Sequence, residues 1–235
     1  MSTPSPTPDL RGPDPRIPTV TPATREIERS AERWTRLPRE GERVVLLLHG
    51  LGSSEDDLIS LAPFLPQGLV YVSLRGIHRY GPGWAWLGHP VDAADRTLLE
   101  ASAEAVERWI GDLEHGTVVG AVGFSQGAML ALELLRRRPA SLDWVAQLSG
   151  GPFPARLPGD EELARRRPPV LWGHGGLDPL FDAALETQVR QWLEAHVDVT
   201  EERSPLLGHG VDEQVLGALA AFIAERETAA SGRAS

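Results

Sequence analysis

Short apolar runs alternate with amphipathic stretches along most of this chain. Val44–Leu48 is apolar throughout, and four similar runs follow it: Leu69–Val72, Val118–Val122, Trp144–Leu148 and Val170–Trp172. Runs this short and this apolar are typical of strands that are covered on both faces of a sheet. The five runs therefore predict the buried strands of one sheet.

Apolar side chains between and after these runs recur at helical spacing. This spacing is found in Leu98–Leu113, Ala128–Leu135, Phe181–Val197 and Val211–Glu225. Alternation of strand and helix predicts an α/β domain with a mostly parallel sheet. In such sheets ligands bind beyond the carboxyl ends of the strands, so the loops that follow the strands are where chemistry is expected.

The two ends of the chain differ from its centre. Residues 1–25 are rich in Pro, Thr and Ser, which predicts a disordered tail that cannot bury enough apolar surface to order itself. A short helix is predicted over residues 26–40, packed on the domain through Trp34. Residues 41–227 are predicted to form one domain, and residues 228–235 a frayed C-terminus.

Composition excludes several classes of function. The chain carries 23 Arg and no Lys against 33 acidic residues, and its net charge of −10 argues against nucleic acid and anionic lipid as partners. It has no cysteine, which excludes disulfides, thiolate metal sites and a cysteine nucleophile. No apolar stretch reaches the roughly 18–20 residues of a membrane span, and no signal peptide is recognisable. We therefore expect a cytoplasmic protein without membrane insertion.

A serine stands between a predicted strand and a predicted helix, in Gly123-Phe124-Ser125-Gln126-Gly127. This context is typical of a nucleophile elbow, in which small residues allow the strand and the helix to approach each other closely. The Ser125 hydroxyl would project above the sheet, and the Gln126 amide would point to where an oxyanion forms. The alternative interpretation is a tight glycine-rich turn with an ordinary serine.

The loop after the first strand, His49-Gly50-Leu51-Gly52, predicts a second oxyanion donor. Its two glycines allow the backbone to turn and approach a substrate, and we assign the donor to the Leu51 N–H. His49 is interpreted as a residue that holds this loop through hydrogen bonds to the backbone.

An aspartate and a histidine follow later strands. Asp178 precedes a proline, which favours extended backbone and suits a rigidly held carboxylate, although a role in a turn or helix cap remains an alternative. His209 lies between two glycines in a loop, where it can reach across a site. Three competing residues are assigned other roles: Asp182 as a helix cap, His174 as structural and His196 as a helix end.

Ser125, Asp178 and His209 occur in the chain order that α/β-hydrolases use. Each follows a predicted strand, so all three are expected at the same edge of the sheet. We predict that His209 deprotonates Ser125 and that Asp178 orients His209. No metal-ligand spacing and no nucleotide-binding loop is recognisable, so no metal and no cofactor are expected.

Four motifs resemble those of one family. They are Leu48–Gly52, Gly123–Gly127, His174–Pro179 and Gly208–Gly210. Together they resemble the phospholipase/carboxylesterase family of α/β-hydrolases, to which acyl-protein thioesterases and small bacterial carboxylesterases belong. The resemblance extends from about Val44 to Phe222, with departures at Leu74 and Ala128, where the family often has Pro and Gly.

The resemblance implies a compact α/β-hydrolase fold without a large cap domain. It implies hydrolysis of carboxylic esters and thioesters of short to medium acyl chains. It also assigns Ser125, Asp178 and His209 as the catalytic triad, with Leu51 and Gln126 as the oxyanion hole.

An aromatic loop with Trp84 and Trp86 precedes the first long helix. We interpret it as one wall of an acyl or aryl pocket to which Met129 and Phe181 also contribute. A loop that packs on itself over the sheet edge is the alternative.

The predicted function is therefore a serine hydrolase that cleaves carboxylic esters through an acyl-enzyme intermediate. An acyl-protein or acyl thioesterase and a lysophospholipase remain open, because their chemistry at the acyl carbon is the same. An acyltransferase, which would use the same acyl-enzyme but exclude water, also remains open. A non-catalytic binding module of the same fold is the alternative from another class. The expected partner is a small ester or thioester, and both a monomer and a homodimer fit the sequence.

Overall fold

A computed structural model describes residues 18–233 of the chain. Its strands are β1 (Thr21–Pro22), β2 (Arg33–Trp34), β3 (Arg43–Leu48), β4 (Val70–Leu74), β5 (His78–Tyr80), β6 (Gly83–Ala85), β7 (Thr117–Phe124), β8 (Trp144–Leu148), β9 (Pro169–Gly175) and β10 (Asp198–Ser204). Its α-helices are α1 (Thr97–Gly111), α2 (Gln126–Arg137), α3 (Asp160–Arg166), α4 (Ala183–His196) and α5 (Glu213–Arg233). Two 3-10 helices cover Arg29–Ala31 and Leu58–Phe64.

Seven strands form the central sheet in the order β10-β9-β8-β7-β3-β4-β2. Every neighbouring pair is parallel except β2 and β4, which are antiparallel. The five strands predicted from the apolar runs are all present, which confirms the prediction of a mostly parallel sheet. A separate small sheet has the order β1-β5-β6.

Alternate residues of the central strands supply two apolar layers. In β3, Leu46 and Leu48 belong to the cluster that packs against α1 and α2, whereas Val45 and Leu47 belong to the cluster that packs against α5. All four are fully buried. A strand that is buried on both faces has no face exposed to solvent, which explains why its sequence is apolar without alternation.

The segment before β3 differs from its prediction. The helix expected over residues 26–40 is replaced by the short 3-10 helix and by β2, which pairs with the β4 edge. Pairing satisfies backbone groups that the β4 edge would otherwise expose, and Thr35 N–H extends it to Tyr71 O at 3.0 Å. Trp34 does pack on the domain, with its ring centroid 5.9 Å from that of Trp109.

The structure also differs from the prediction at both ends of the domain. Of the predicted tail, residues 1–17 lie outside the described residues, whereas Thr21–Pro22 pairs with β5. At the other end, α5 continues to Arg233 instead of fraying after residue 227. No helix in the described part of the chain is long and apolar enough to cross a membrane.

The strand β10 is absent from the sequence prediction. Its sequence, DVTEERS, is mostly polar, because a strand at the edge of the sheet is partly open to water. It nevertheless pairs with β9 along its whole length, from Asp198 opposite Pro169 to Ser204 opposite Gly175. This pairing matters for the site, because β10 leads into the loop that carries His209.

Candidate active site

Ser125 occupies the sharp turn between β7 and α2. Its backbone has φ 54° and ψ −115°, a positive φ that is uncommon for a residue other than glycine. A Cβ atom at Gly123 would lie 2.2 Å from the Gly127 carbonyl oxygen, and one at Gly127 would lie 1.9 Å from the Leu48 carbonyl oxygen. The turn therefore requires glycine on both sides of Ser125, as the elbow motif predicted.

The structure brings Ser125, His209 and Asp178 together in one hydrogen-bonded chain. His209 Nε2 lies 3.0 Å from Ser125 Oγ, and His209 Nδ1 lies 2.7 Å from Asp178 Oδ2. Because the carboxylate accepts a hydrogen bond from Nδ1–H, Nε2 of the neutral ring carries no proton and can accept a hydrogen bond from the serine hydroxyl. The Asp178 side chain is almost fully buried, whereas the His209 side chain keeps 22% of its exposure.

Backbone contacts between two loops hold the aspartate and the histidine in place. Leu177 N–H donates to Leu207 O at 2.9 Å, which ties the loop after β9 to the loop after β10. The second carboxylate oxygen of Asp178 accepts a hydrogen bond from Leu180 N–H at 2.9 Å. The Phe124 ring packs against the His209 imidazole at a centroid distance of 5.0 Å.

The competing histidines are engaged elsewhere. His174 stacks on Trp172 and its Nε2 lies 2.9 Å from a carboxylate oxygen of Glu201. His196 donates from Nδ1 to Trp192 O at 2.7 Å, near the end of α4. The remaining competitor, Asp182, caps α4 by accepting from Leu185 N–H at 2.8 Å, as predicted.

His49 holds the loop after β3, as its interpretation from the sequence required. Its Nε2 accepts a hydrogen bond from Gly76 N–H at 3.0 Å, so the ring proton is on Nδ1, which donates to Gly50 O at 2.7 Å. Burial lowers the pKa of His49, which favours this neutral form.

The two candidate oxyanion donors flank the serine. Gln126 is the first residue of α2, where backbone N–H groups lack partners within the helix. Leu51 follows Gly50, and a Cβ atom at Gly50 would lie 2.9 Å from the Phe124 ring and 3.5 Å from Ser125 Cβ. The glycine therefore lets this loop pass close beside the nucleophile.

The predicted aromatic pocket wall needs one correction. Trp86 is fully buried and donates from its indole nitrogen to His49 O at 2.9 Å, so it lines no open pocket. Trp84 is half-buried beneath the guanidinium groups of Arg75 and Arg79. Both tryptophans of the loop thus contact other residues of the domain, Trp86 through its hydrogen bond to His49 and Trp84 through the two guanidinium groups.

Met129 and Phe181, the other predicted pocket residues, are partly buried against the larger apolar cluster. Their contribution to a substrate pocket, like that of Trp84, stays a prediction.

A cavity of about 410 Å³ lies between the loop after β8 and α4. The loop begins beside the nucleophile, because a Cβ atom at Gly150 would lie 3.0 Å from the Ser125 carbonyl oxygen. Its walls are largely apolar and include Phe153, Leu185, Val189 and Trp192. Sequence reasoning missed this cavity, because its walls come from segments that no motif connects.

One cluster has the residue types of a metal site. His174, Glu186 and Glu201 have potential ligand atoms within 4.8 Å of one another. However, Arg190 pairs with both carboxylates, and Arg203 lies 3.5 Å from Glu186. Two guanidinium groups already neutralise the acids, so the cluster fits an ion-pair network better than a cation site.

The fold and the site together define an α/β-hydrolase, with no large cap domain in the described part of the chain. A family model described as Phospholipase/Carboxylesterase matches residues 37–226. The protein belongs to this family, as its motifs indicated.

Known proteins resemble the chain over most of its length. It is 29% identical to Esterase YpfH of Escherichia coli strain K12 over 190 residues, which covers 75% of this chain and 79% of that protein. It is 23% identical to Acyl-protein thioesterase 1 of Kluyveromyces lactis over 199 residues, covering 73% of this chain and 85% of that protein. The crystal structure of esterase PE8 matches with a TM-score of 0.68 and 27% identity, covering 85% of this chain and 99% of that one. Family and relatives indicate an esterase-type hydrolase.

Proposed function

We propose that this protein is a serine hydrolase that cleaves carboxylic esters of short to medium acyl chains. The observation that carries the proposal is the continuous contact from Ser125 Oγ through His209 to Asp178, with distances of 3.0 and 2.7 Å. A nucleophile, its base and the group that orients the base are thus within hydrogen-bonding reach of one another.

The reaction follows from these contacts in two steps. His209 Nε2 takes the proton of Ser125 as Oγ attacks the ester carbonyl carbon, and the same proton then passes to the alkoxide leaving group. The acyl group remains on Ser125. Water then attacks it with His209 again as the base, which releases the carboxylic acid and restores the serine. Asp178 fixes the tautomer of His209 and stabilises its imidazolium form throughout.

Negative charge develops on the carbonyl oxygen in both steps. The Leu51 and Gln126 N–H groups are the donors that we assign to it, because they lie in the two segments beside Ser125. In serine hydrolases, loss of one such donor costs about 10²–10³ in kcat. These two amides therefore account for a large share of the expected rate enhancement.

The cavity between the loop after β8 and α4 is our candidate for the acyl subsite, because that loop begins beside Ser125. Its volume of about 410 Å³ falls within the range of about 300–1,000 Å³ that small-molecule sites occupy. Apolar walls suit a hydrocarbon chain better than a charged group.

A thioesterase is the second candidate, supported by the likeness to Acyl-protein thioesterase 1. Both candidates, and a lysophospholipase, share the acyl-enzyme intermediate and differ in the leaving group. A non-catalytic module is disfavoured, because a binding protein has no need for a serine held on a strained turn in contact with a histidine.

The test is hydrolysis of p-nitrophenyl esters from acetate to palmitate by the wild type and by Ser125→Ala. Ser60→Ala, which alters an exposed serine of the 3-10 helix, is the matched control. We expect activity at short or medium chains that is lost only in Ser125→Ala. Acyl-CoA and acylated peptides form a second arm, and preference for them would favour the thioesterase. A folded protein that cleaves none of these substrates contradicts the proposal.

A further inference from the structure

Trp86 forms hydrogen bonds to three different segments around the nucleophile. Its backbone N–H donates to Gln126 Oε1 at 3.1 Å, and its indole N–H donates to His49 O at 2.9 Å. Its backbone carbonyl accepts from Ser102 Oγ at 2.6 Å. The residue is fully buried, so water does not compete with these bonds.

Two of the three partners belong to the segments that carry the oxyanion donors. Gln126 is the residue whose backbone N–H is one donor, and His49 stands two residues before Leu51, which supplies the other. The backbone N–H and the indole N–H of Trp86 therefore each form a hydrogen bond to one of the two segments that carry the oxyanion donors.

The Gln126 side chain strengthens this connection. Its Oε1 accepts from Trp86 N–H, and its Nε2 donates to Leu87 O at 3.1 Å. The amide is thus held by both ends against the loop that follows β6. On the other side, the Trp86 ring packs on the His49 imidazole at a centroid distance of 5.2 Å.

We propose that Trp86 is a positioning residue that fixes the spacing between the Gln126 and Leu51 amides, with the Gln126 side chain as its counterpart. This inference rests on the proposed function, because it assigns the purpose of the hydrogen bonds to stabilisation of the oxyanion. It replaces the role of pocket wall that the sequence suggested for Trp86.

The physical basis is that oxyanion donors act only at the right distance. They must lie about 2.7–3.1 Å from the position that the oxyanion takes in the transition state. A small change in spacing weakens this contact while it leaves binding of the ground-state ester almost unchanged. A positioning residue therefore affects kcat, whereas a pocket wall affects KM and the preferred chain length.

Two substitutions separate the contacts from the bulk of the side chains. Trp86→Phe removes the indole N–H and keeps an aromatic ring beside His49. Gln126→Met removes the side-chain amide, while the backbone N–H of residue 126 remains. Trp109→Phe is the matched control, because Trp109 is also buried and donates its indole N–H to Glu32 at 2.6 Å, outside the candidate site.

The experiment measures kcat and KM on the best p-nitrophenyl ester, the inhibition constant of a trifluoromethyl ketone that mimics the tetrahedral intermediate, and the melting temperature. In Trp86→Phe and Gln126→Met we expect kcat to fall by about 10-fold or more, with KM within about twofold. The inhibition constant should rise by a similar factor. Trp109→Phe should lower the melting temperature without either kinetic change.

Three results would overturn the inference. One is Trp86→Phe with wild-type kcat and wild-type inhibition, even if it melts earlier, since its role is then structural. Another is a rise in KM with unchanged kcat, which is the signature of a pocket wall. The third is a wild-type protein that either hydrolyses no ester or hydrolyses esters equally well after Ser125→Ala. That result removes the proposed function as well, whereas the first two leave it intact.

Discussion

Asp178 and His209 are 31 residues apart in the sequence, yet the Oδ2 and Nδ1 atoms of their side chains lie 2.7 Å apart. His174 is only four residues from Asp178 but faces Glu201 instead. The difference arises because His174 lies within β9 and Asp178 lies beyond its end, where the loops from neighbouring strands meet. Which histidine pairs with Asp178 is thus decided by where each residue lies relative to the end of its strand, and not by how close the residues are in the sequence.

Loss of the Asp178 carboxylate should leave a folded protein with little activity. Asp178→Asn keeps the shape of the side chain but no longer favours the Nδ1–H form of His209, so we expect kcat to fall by about 10⁴-fold. Ester kinetics and circular dichroism check this. The control is Asp182→Asn, which weakens the cap of α4 by about 1 kcal/mol or less and should keep kcat within twofold. Near-normal turnover by Asp178→Asn would count against the assigned role.

Glycine at the elbow should be indispensable. Gly127→Ala places a Cβ atom 1.9 Å from the Leu48 carbonyl oxygen, so α2 must move away from β3 and displace Ser125. We expect a loss of more than about 3 kcal/mol in unfolding free energy, as for severe core overpacking, together with loss of activity.

The matched control for Gly127 is Gly217→Ala in α5, where a Cβ atom would meet nothing within 4 Å. Alanine in a helix interior is better than glycine by about 0.5–1 kcal/mol, so this variant should be slightly more stable. Denaturant titration of both variants measures the contrast. Equal stabilities would contradict the close packing around the elbow.

The pairing of Glu55 with Arg75 should make stability depend on pH. Burial is the largest single effect and acts to raise the pKa of Glu55. The hydrogen bonds from Arg75, the hydrogen bond from the backbone of Glu55 and the charges of Arg75 and Arg33 together outweigh it, so the pKa is lowered from the ordinary value of 4.5. Below pH 4.5 the unfolded chain therefore takes up a proton that the folded one does not, which favours unfolding. The stabilising contribution is complete above about pH 4.5 and is lost progressively as the pH falls.

Glu55→Gln tests this by removing the charge. At pH 7 we expect it to lower the unfolding free energy by about 3 kcal/mol, the lower end for a broken buried pair, since Arg75 is partly exposed. The difference from the wild type should shrink as the pH falls below 4.5. Urea titrations at four pH values measure it, with Glu40→Gln at an exposed position as the control for loss of one charge. A difference that is constant with pH would contradict the pairing.

Filling the cavity between the loop after β8 and α4 should shorten the accepted acyl chain. Leu185→Trp adds a large ring to the cavity wall, so we expect kcat/KM for octanoate and decanoate esters to fall by about 10-fold while acetate is unaffected. Leu37→Trp adds the same ring at an exposed position of the N-terminal segment and should change neither. An unchanged chain-length profile in Leu185→Trp would place the acyl chain elsewhere.

Local sequence was sufficient for the strands and the chemistry-bearing loops. The run at Val44–Leu48 predicted a doubly buried strand, and the glycines around Ser125 predicted a tight turn, because both signals depend on residues that are neighbours in the chain. For the same reason the sequence could predict Ser125, Asp178 and His209 as a triad, since each residue only had to be placed after a predicted strand.

Tertiary contacts decided the rest. The polar strand β10 forms because its backbone pairs with β9, and residues 33–34 pair with an open sheet edge although their local pattern suggested a helix. Trp86 is apolar enough for a pocket wall, yet its N–H groups have partners from distant segments and it lies in the interior. The sequence by itself thus determined the fold class and the candidate chemistry, whose signals are local. Only the folded structure decided the edges of the sheet, the cavity and the partners of Trp86, because those depend on free energies of contact between residues far apart in the chain.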